Sequence, residues 1–120
     1  METARLEAKV RHADAVAVID LRGELNATAE QTLNAAYREA AVSDPVAIVL
    51  DFGGVPYINS TGIAVVVGLL ARARGDGRTV SARGLSEHYR EIFRITRLSE
   101  VMHIVPDEEC VAIGAPTPAS

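Results

Sequence analysis

The stretch "IVLDFGGVPYINSTGIAVVVGLLARARGDG", residues 48–77, holds a segment over which helix and strand compete, and its reading decides the fold. Val65, Val66 and Val67 favour a strand by propensity. The run from Thr61 to Arg74 is nevertheless too long for a typical strand of roughly 5–6 residues. Ser60 stands where a helix N-cap is expected, and Arg72 and Arg74 stand where a helix C-terminus favours cations. Gly75 and Gly77 supply the stop. A helix is therefore predicted. Before it, "VAIVLD" is the short, continuously apolar run of a central parallel strand covered on both faces, with Asp51 ending it.

Working outward, Leu6 to Arg11 and Val16 to Leu21 flank a turn at Ala13 and Asp14, which predicts two antiparallel strands. Thr28 and Gln31 have capping-box spacing, and Leu33, Ala36, Tyr37, Ala40 and Ala41 recur at helical intervals until about Ser43. On the other side, "RTVSA" reads as a strand, Ser86 caps a helix through Ile95, and "VMHIV" reads as a last strand. Pro106 then opens a short acidic helix, and residues 114–120 form a frayed tail. Strands alternating with helices predict an α/β domain with a mostly parallel sheet. Sites on such sheets gather beyond the carboxyl ends of the strands, the place of "DFGGVPYINST".

At 120 residues the chain suits one core. Twelve basic against 16 acidic residues give a net charge of −4, the wrong sign for broad nucleic-acid binding. The aromatic content of 4% with no Trp also argues against a base-stacking platform. Cys110 is the only cysteine, so no internal disulfide forms. No apolar run reaches the roughly 20 residues of a membrane span, and the N-terminus lacks a signal-peptide pattern, so a cytoplasmic location is expected.

Ser60 at a helix start can be a cap, a nucleophile, a phosphate acceptor or part of a docking surface. An anion is favoured there by unpaired amides and the helix dipole. A phosphate on Ser60 would add about −1.5 to −2 charge without unfolding the domain, while confronting any docked partner with that charge. The helix behind it is apolar nearly all round, which leaves part of the Val65 side for a neighbour. No G-x-S-x-G elbow surrounds Ser60, and His12, His88 and His103 are scattered without metal-ligand spacing. Neither catalysis nor a cofactor is expected. Gly53-Gly54 and Gly75-Asp76-Gly77 fit turns rather than phosphate loops. Arg72, Arg74, Arg78 and Arg83 form the basic cluster, which a helix end and an exposed loop largely explain.

Three segments together, "VIDLRGELN" (18–26), "IVLDFGGVPYINSTGIAVVV" (48–67) and "ARGLSEHYREIFRITRLSEVMHIVPDEE" (82–109), resemble the STAS family of bacterial anti-sigma factor antagonists. The resemblance implies a β-α superhelix spanning residues 1–113: a five-stranded sheet with an antiparallel first strand and about four helices. It implies binding to an anti-sigma factor that is also a Ser/Thr kinase, broken by phosphorylation and restored by a phosphatase. It leaves a homodimer open and implies neither nucleic-acid nor membrane partners. By the same resemblance Ser60 is the phosphate acceptor, with Thr61 the lesser candidate, and Asn26, Asp51, Asn59, Ser60, Thr61, Gly62 and Val65 contribute to partner binding. Gly62 would let the backbone approach closely. Asn59 and Asn26 stand where the family often has Asp, and both changes remove negative charge. The alternative is a STAS scaffold or small-ligand module in which Ser60 only caps.

Overall fold

A computed structural model describes residues 5–104. Its elements are β1 (Glu7–Ala13), β2 (Val16–Leu25), α1 (Glu30–Ala41), β3 (Ala47–Ile58), α2 (Ser60–Gly75), β4 (Thr79–Arg83), α3 (Glu87–Ile95) and β5 (His103–Ile104). Short 3-10 turns occupy Ala27–Ala29 and Leu98–Glu100. The five strands lie in sequence order in one sheet, with β1 antiparallel to β2 and every later pair parallel. This is the predicted architecture with three α-helices among the described residues. The helix expected after Pro106, Cys110 and the tail lie outside them.

The disputed segment is helical. Val66, Leu69, Leu70 and Ala73 are buried at helical spacing, and Val65 packs half-buried against the same core. Side-chain burial outweighs the local strand preference of three successive valines. In α1, Leu33, Ala36, Tyr37 and Ala40 face the sheet as the periodicity predicts. Phe93 of α3 meets Phe52 of β3 edge to face, with ring centroids 5.9 Å apart. The first half of β3 is buried on both sides: Ile48 and Leu50 in the helix-packed core, Val49 on the opposite face.

Four local expectations are corrected. β3 does not end at Asp51 but runs on to Ile58, because β2 extends to Leu25 and keeps pairing with it through two register shifts. β4 leaves the sheet at Arg83, opposite Asp51, so the last turn of the ladder has only two strands. Its free edge is protected: Pro56 carries no N–H, and the Ile58 amide donates to the Tyr89 hydroxyl at 3.0 Å. The capping box at Thr28 and Gln31 does not form; Asn26 caps the preceding 3-10 turn instead. The last strand starts only at His103, since Leu98–Glu100 form a turn and Met102 drops into the core; among the described residues it covers His103–Ile104, and Val105 lies outside them.

The fourth correction concerns Arg78, expected on an exposed loop but 9% exposed. Its Nε donates to the Pro45 carbonyl at 2.9 Å, one terminal nitrogen to Tyr37 Oη at 3.0 Å, and the other to Asp44 at 2.9 Å. Tyr37 Oη in turn donates to Asp76 at 2.6 Å, and Arg72 lies over the Tyr37 ring, 5.0 Å from its centroid. These residues fasten the ends of α1 and α2 to the starts of β3 and β4. Burial, and then the hydrogen bond to Asp76, push the Tyr37 phenol above its ordinary pKa.

Candidate functional site

The paired ends of β2 and β3 set the site. Leu25 lies opposite Ile58, and the Asn59 amide donates to the Leu25 carbonyl at 3.2 Å, so Asn26 and Asn59 leave the sheet side by side. Each then caps the turn that follows it. Asn26 Oδ1 accepts from the Thr28 amide at 3.0 Å and the Thr28 hydroxyl at 2.6 Å. Asn59 Oδ1 accepts from the Gly62 amide at 2.8 Å and the Thr61 hydroxyl at 2.7 Å.

Ser60 is thus not the cap. Asn59 takes that position with extended backbone, and Ser60 becomes the first residue of α2. Its side chain is exposed and, among the described residues, makes no hydrogen bond. Thr61, the lesser candidate, has its hydroxyl committed to Asn59. The two neighbouring hydroxyls are therefore distinguishable by their bonding.

Gly62 explains the fit of α2 against the sheet. A Cβ built there would lie 1.9 Å from the Leu25 carbonyl oxygen and 2.9 Å from a Leu25 methyl. Only a residue without a side chain lets the helix start this close to β2. The expectation of close approach is met, and the surface approached is the protein's own strand. Val65, one turn on, is half-buried and packed against the core.

Asp51 is not brought to this cluster. It sits where β4 leaves the sheet, with one carboxylate oxygen accepting from Arg83 at 3.0 Å and the other from the Gly53 amide at 2.8 Å. Arg78 and Arg83 are both bound internally, so the basic cluster suggested by sequence disperses. Sequence reasoning passed over Tyr57 and Tyr89. Tyr57, 47% exposed, stands on β3 two residues before Asn59. Tyr89 holds the end of that strand, its hydroxyl accepting from the Ile58 amide; helical spacing with Phe93 is a signal for its burial, but no local pattern points to the hydroxyl's partner.

The resulting surface is polar, with an uncommitted hydroxyl at a helix start flanked by two neutral asparagines and by the exposed Tyr57, whose register partner on β2 is Glu24. Residues 8–106 match the family described as "Mlab, STAS domain". The chain belongs to the STAS domain family. It is 28% identical over 99 residues to an anti-sigma-B factor antagonist of Listeria monocytogenes, covering 82% of this chain and 86% of that one. Its fold is shared with a crystal structure of an anti-sigma factor antagonist from Mycobacterium paratuberculosis, at 23% identity and a TM-score of 0.67 over 92% of this chain and 95% of that one. It is also shared with the Bacillus cell fate determinant SpoIIAA in its phosphorylated form, at 20% identity and a TM-score of 0.64, covering 90% and 99%. Among the described residues of this STAS domain, no helix is long and apolar enough to cross a membrane.

Proposed function

We propose that this STAS domain is an anti-sigma factor antagonist, a binding module without catalysis of its own. It docks a kinase-type anti-sigma factor on the surface around the start of α2 and is released when Ser60 is phosphorylated. The observation that carries this reading is the exposed Ser60 hydroxyl at the first helical position, without a hydrogen-bond partner among the described residues, with Asn59 performing the cap. A phosphate there would meet the positive end of the α2 dipole, leaving the fold intact while changing the charge of the docking surface. Asn26, Asn59, Thr61 and Gly62 hold the acceptor in place. Asp51 acts at a distance, by fixing the point where β3 parts from β4. A phosphatase would reset the cycle, and control of sigma-factor availability sets the protein's place in the cytoplasm.

The neutral pair Asn26 and Asn59 favours a second reading, a STAS scaffold outside any phosphorylation cycle. Parallel pull-downs from native lysate with wild-type and Ser60→Asp baits separate the two. Loss of a kinase-type anti-sigma factor from the Ser60→Asp bait supports the switch. Retention of the same partners by both baits sinks it and favours the scaffold.

A further inference from the structure

On the sheet face turned away from the helices, Lys9, Asp20, Asp51 and Arg83 are successive register partners across four strands. A groove of about 490 Å³ opens beside this row, lined by Glu7, Lys9, Asp20, Arg22, Asp51 and the Gly53-Gly54 backbone, with Glu7 the register partner of Arg22. It lies where the β2–β3 register slips, several positions before the strand ends that carry Asn26 and Asn59.

Charged sheet faces are commonly just solvated. This one is unevenly satisfied. Asp20 is held by Arg11 through two hydrogen bonds of 2.6 and 3.1 Å, and Asp51 by Arg83 and the Gly53 amide. Two of the three groove carboxylates, Asp20 and Asp51, are therefore already engaged. Among the described residues, Lys9 and Arg22 have neither ion pair nor side-chain hydrogen bond, and Glu7 is the remaining opposing charge. Counted with their partners Arg11 and Arg83, the charges in and beside the groove are four positive against three negative, an excess of one positive charge at a concave site of small-molecule size on a chain of net charge −4. An ammonium and a guanidinium on adjacent strands suit an oxyanion, which a guanidinium can grip with two parallel hydrogen bonds.

We propose that this groove binds a small oxyanion, a phosphate- or carboxylate-bearing molecule, through Lys9 and Arg22. The site is separate from the Ser60 surface and does not depend on the function proposed for it.

The test is an amide NMR titration of the full chain with sodium phosphate and, separately, sodium succinate, at constant ionic strength. Saturable shifts of the Lys9, Arg22, Gly53 and Gly54 amides are expected with at least one of the two. Saturation by phosphate alone assigns a phosphate-bearing ligand, by succinate alone a carboxylate-bearing one, and by both a general oxyanion site. The Lys9→Gln/Arg22→Gln double variant should weaken binding about tenfold or more, with the rest of the spectrum unchanged. Glu7→Gln, which removes the opposing charge, should tighten it about twofold. Shifts that never saturate with either anion, or affinities unaltered in both variants, would overturn the proposal.

Discussion

The two ends of the sheet treat their polar groups in opposite ways. At the end where β3 and β4 begin, Arg78 is buried with three hydrogen-bonded partners, and Tyr37, Asp76 and Pro45 are drawn into the same network. At the end where β2 and β3 finish, the caps are neutral asparagines and, among the described residues, the Ser60 hydroxyl makes no hydrogen bond. Charge that is buried and saturated holds elements together, and removing it is costly. A polar group left exposed beside a rigid cap costs the fold little and remains available for chemistry. The first end reads as a clamp, the second as a platform.

The largest effect is expected at the one place where the platform is as tightly built as the clamp. Gly62→Ala would drive a methyl into the Leu25 carbonyl, and we expect a loss of more than about 3 kcal/mol in denaturant unfolding, at or above the upper range for overpacking. A near-wild-type midpoint would show that α2 can slide away from β2. Next, Arg78→Met should cost about 2 kcal/mol, because the Pro45 carbonyl and Tyr37 hydroxyl lose their donor while the exposed Asp44 and half-exposed Asp76 return to water. A loss under about 1 kcal/mol would put Arg78 among ordinary surface residues.

Smaller effects sharpen the contrast within the platform itself. Asn59→Ala should cost about 1 kcal/mol as a lost N-cap, whereas Ser60→Ala should stay within about 0.5 kcal/mol. If Ser60→Ala proves the more damaging, Ser60 is the cap after all. Ser60→Asp should be neutral or stabilising by about 0.3–1 kcal/mol, since its charge faces the α2 N-terminus. The subtlest test returns to the clamp. The Tyr37 pKa is raised because the fold favours the neutral phenol. Its stabilisation should be complete below the ordinary value near 10 and be lost as pH rises through the higher folded value. Absorbance at 295 nm should show a late-ionising component that Tyr37→Phe removes.

Much of the architecture was legible because burial imposes periods on the sequence. The 3.6-residue spacing in α1, the alternation of β1, the apolar run that opens β2 and the unbroken "VAIVLD" run each reflect one packing environment. Ser86 was read correctly as the cap of α3, where its oxygen accepts from the Tyr89 amide. The cap of α2 was misplaced by one residue because Asn59 and Ser60 are both good cap formers, and only backbone geometry chooses between them. The length of β3 was missed for a different reason. Gly53, Gly54 and Pro56 look like a loop, yet β2 continues alongside them and supplies the pairing.

What the sequence determined by itself is what depends on neighbours a few residues apart: the order of elements, the amphipathic faces, the single α/β core and the hydroxyl pair at the start of an apolar helix. Tertiary structure decided what depends on groups far apart in the chain. It buried Arg78 against residues more than 30 positions away, kept Asp51 on Arg83 rather than near Ser60, and pressed Gly62 onto the Leu25 carbonyl. The reason is that hydrogen bonds and close contacts are settled by spatial proximity, while a local pattern records only which side of an element avoids water.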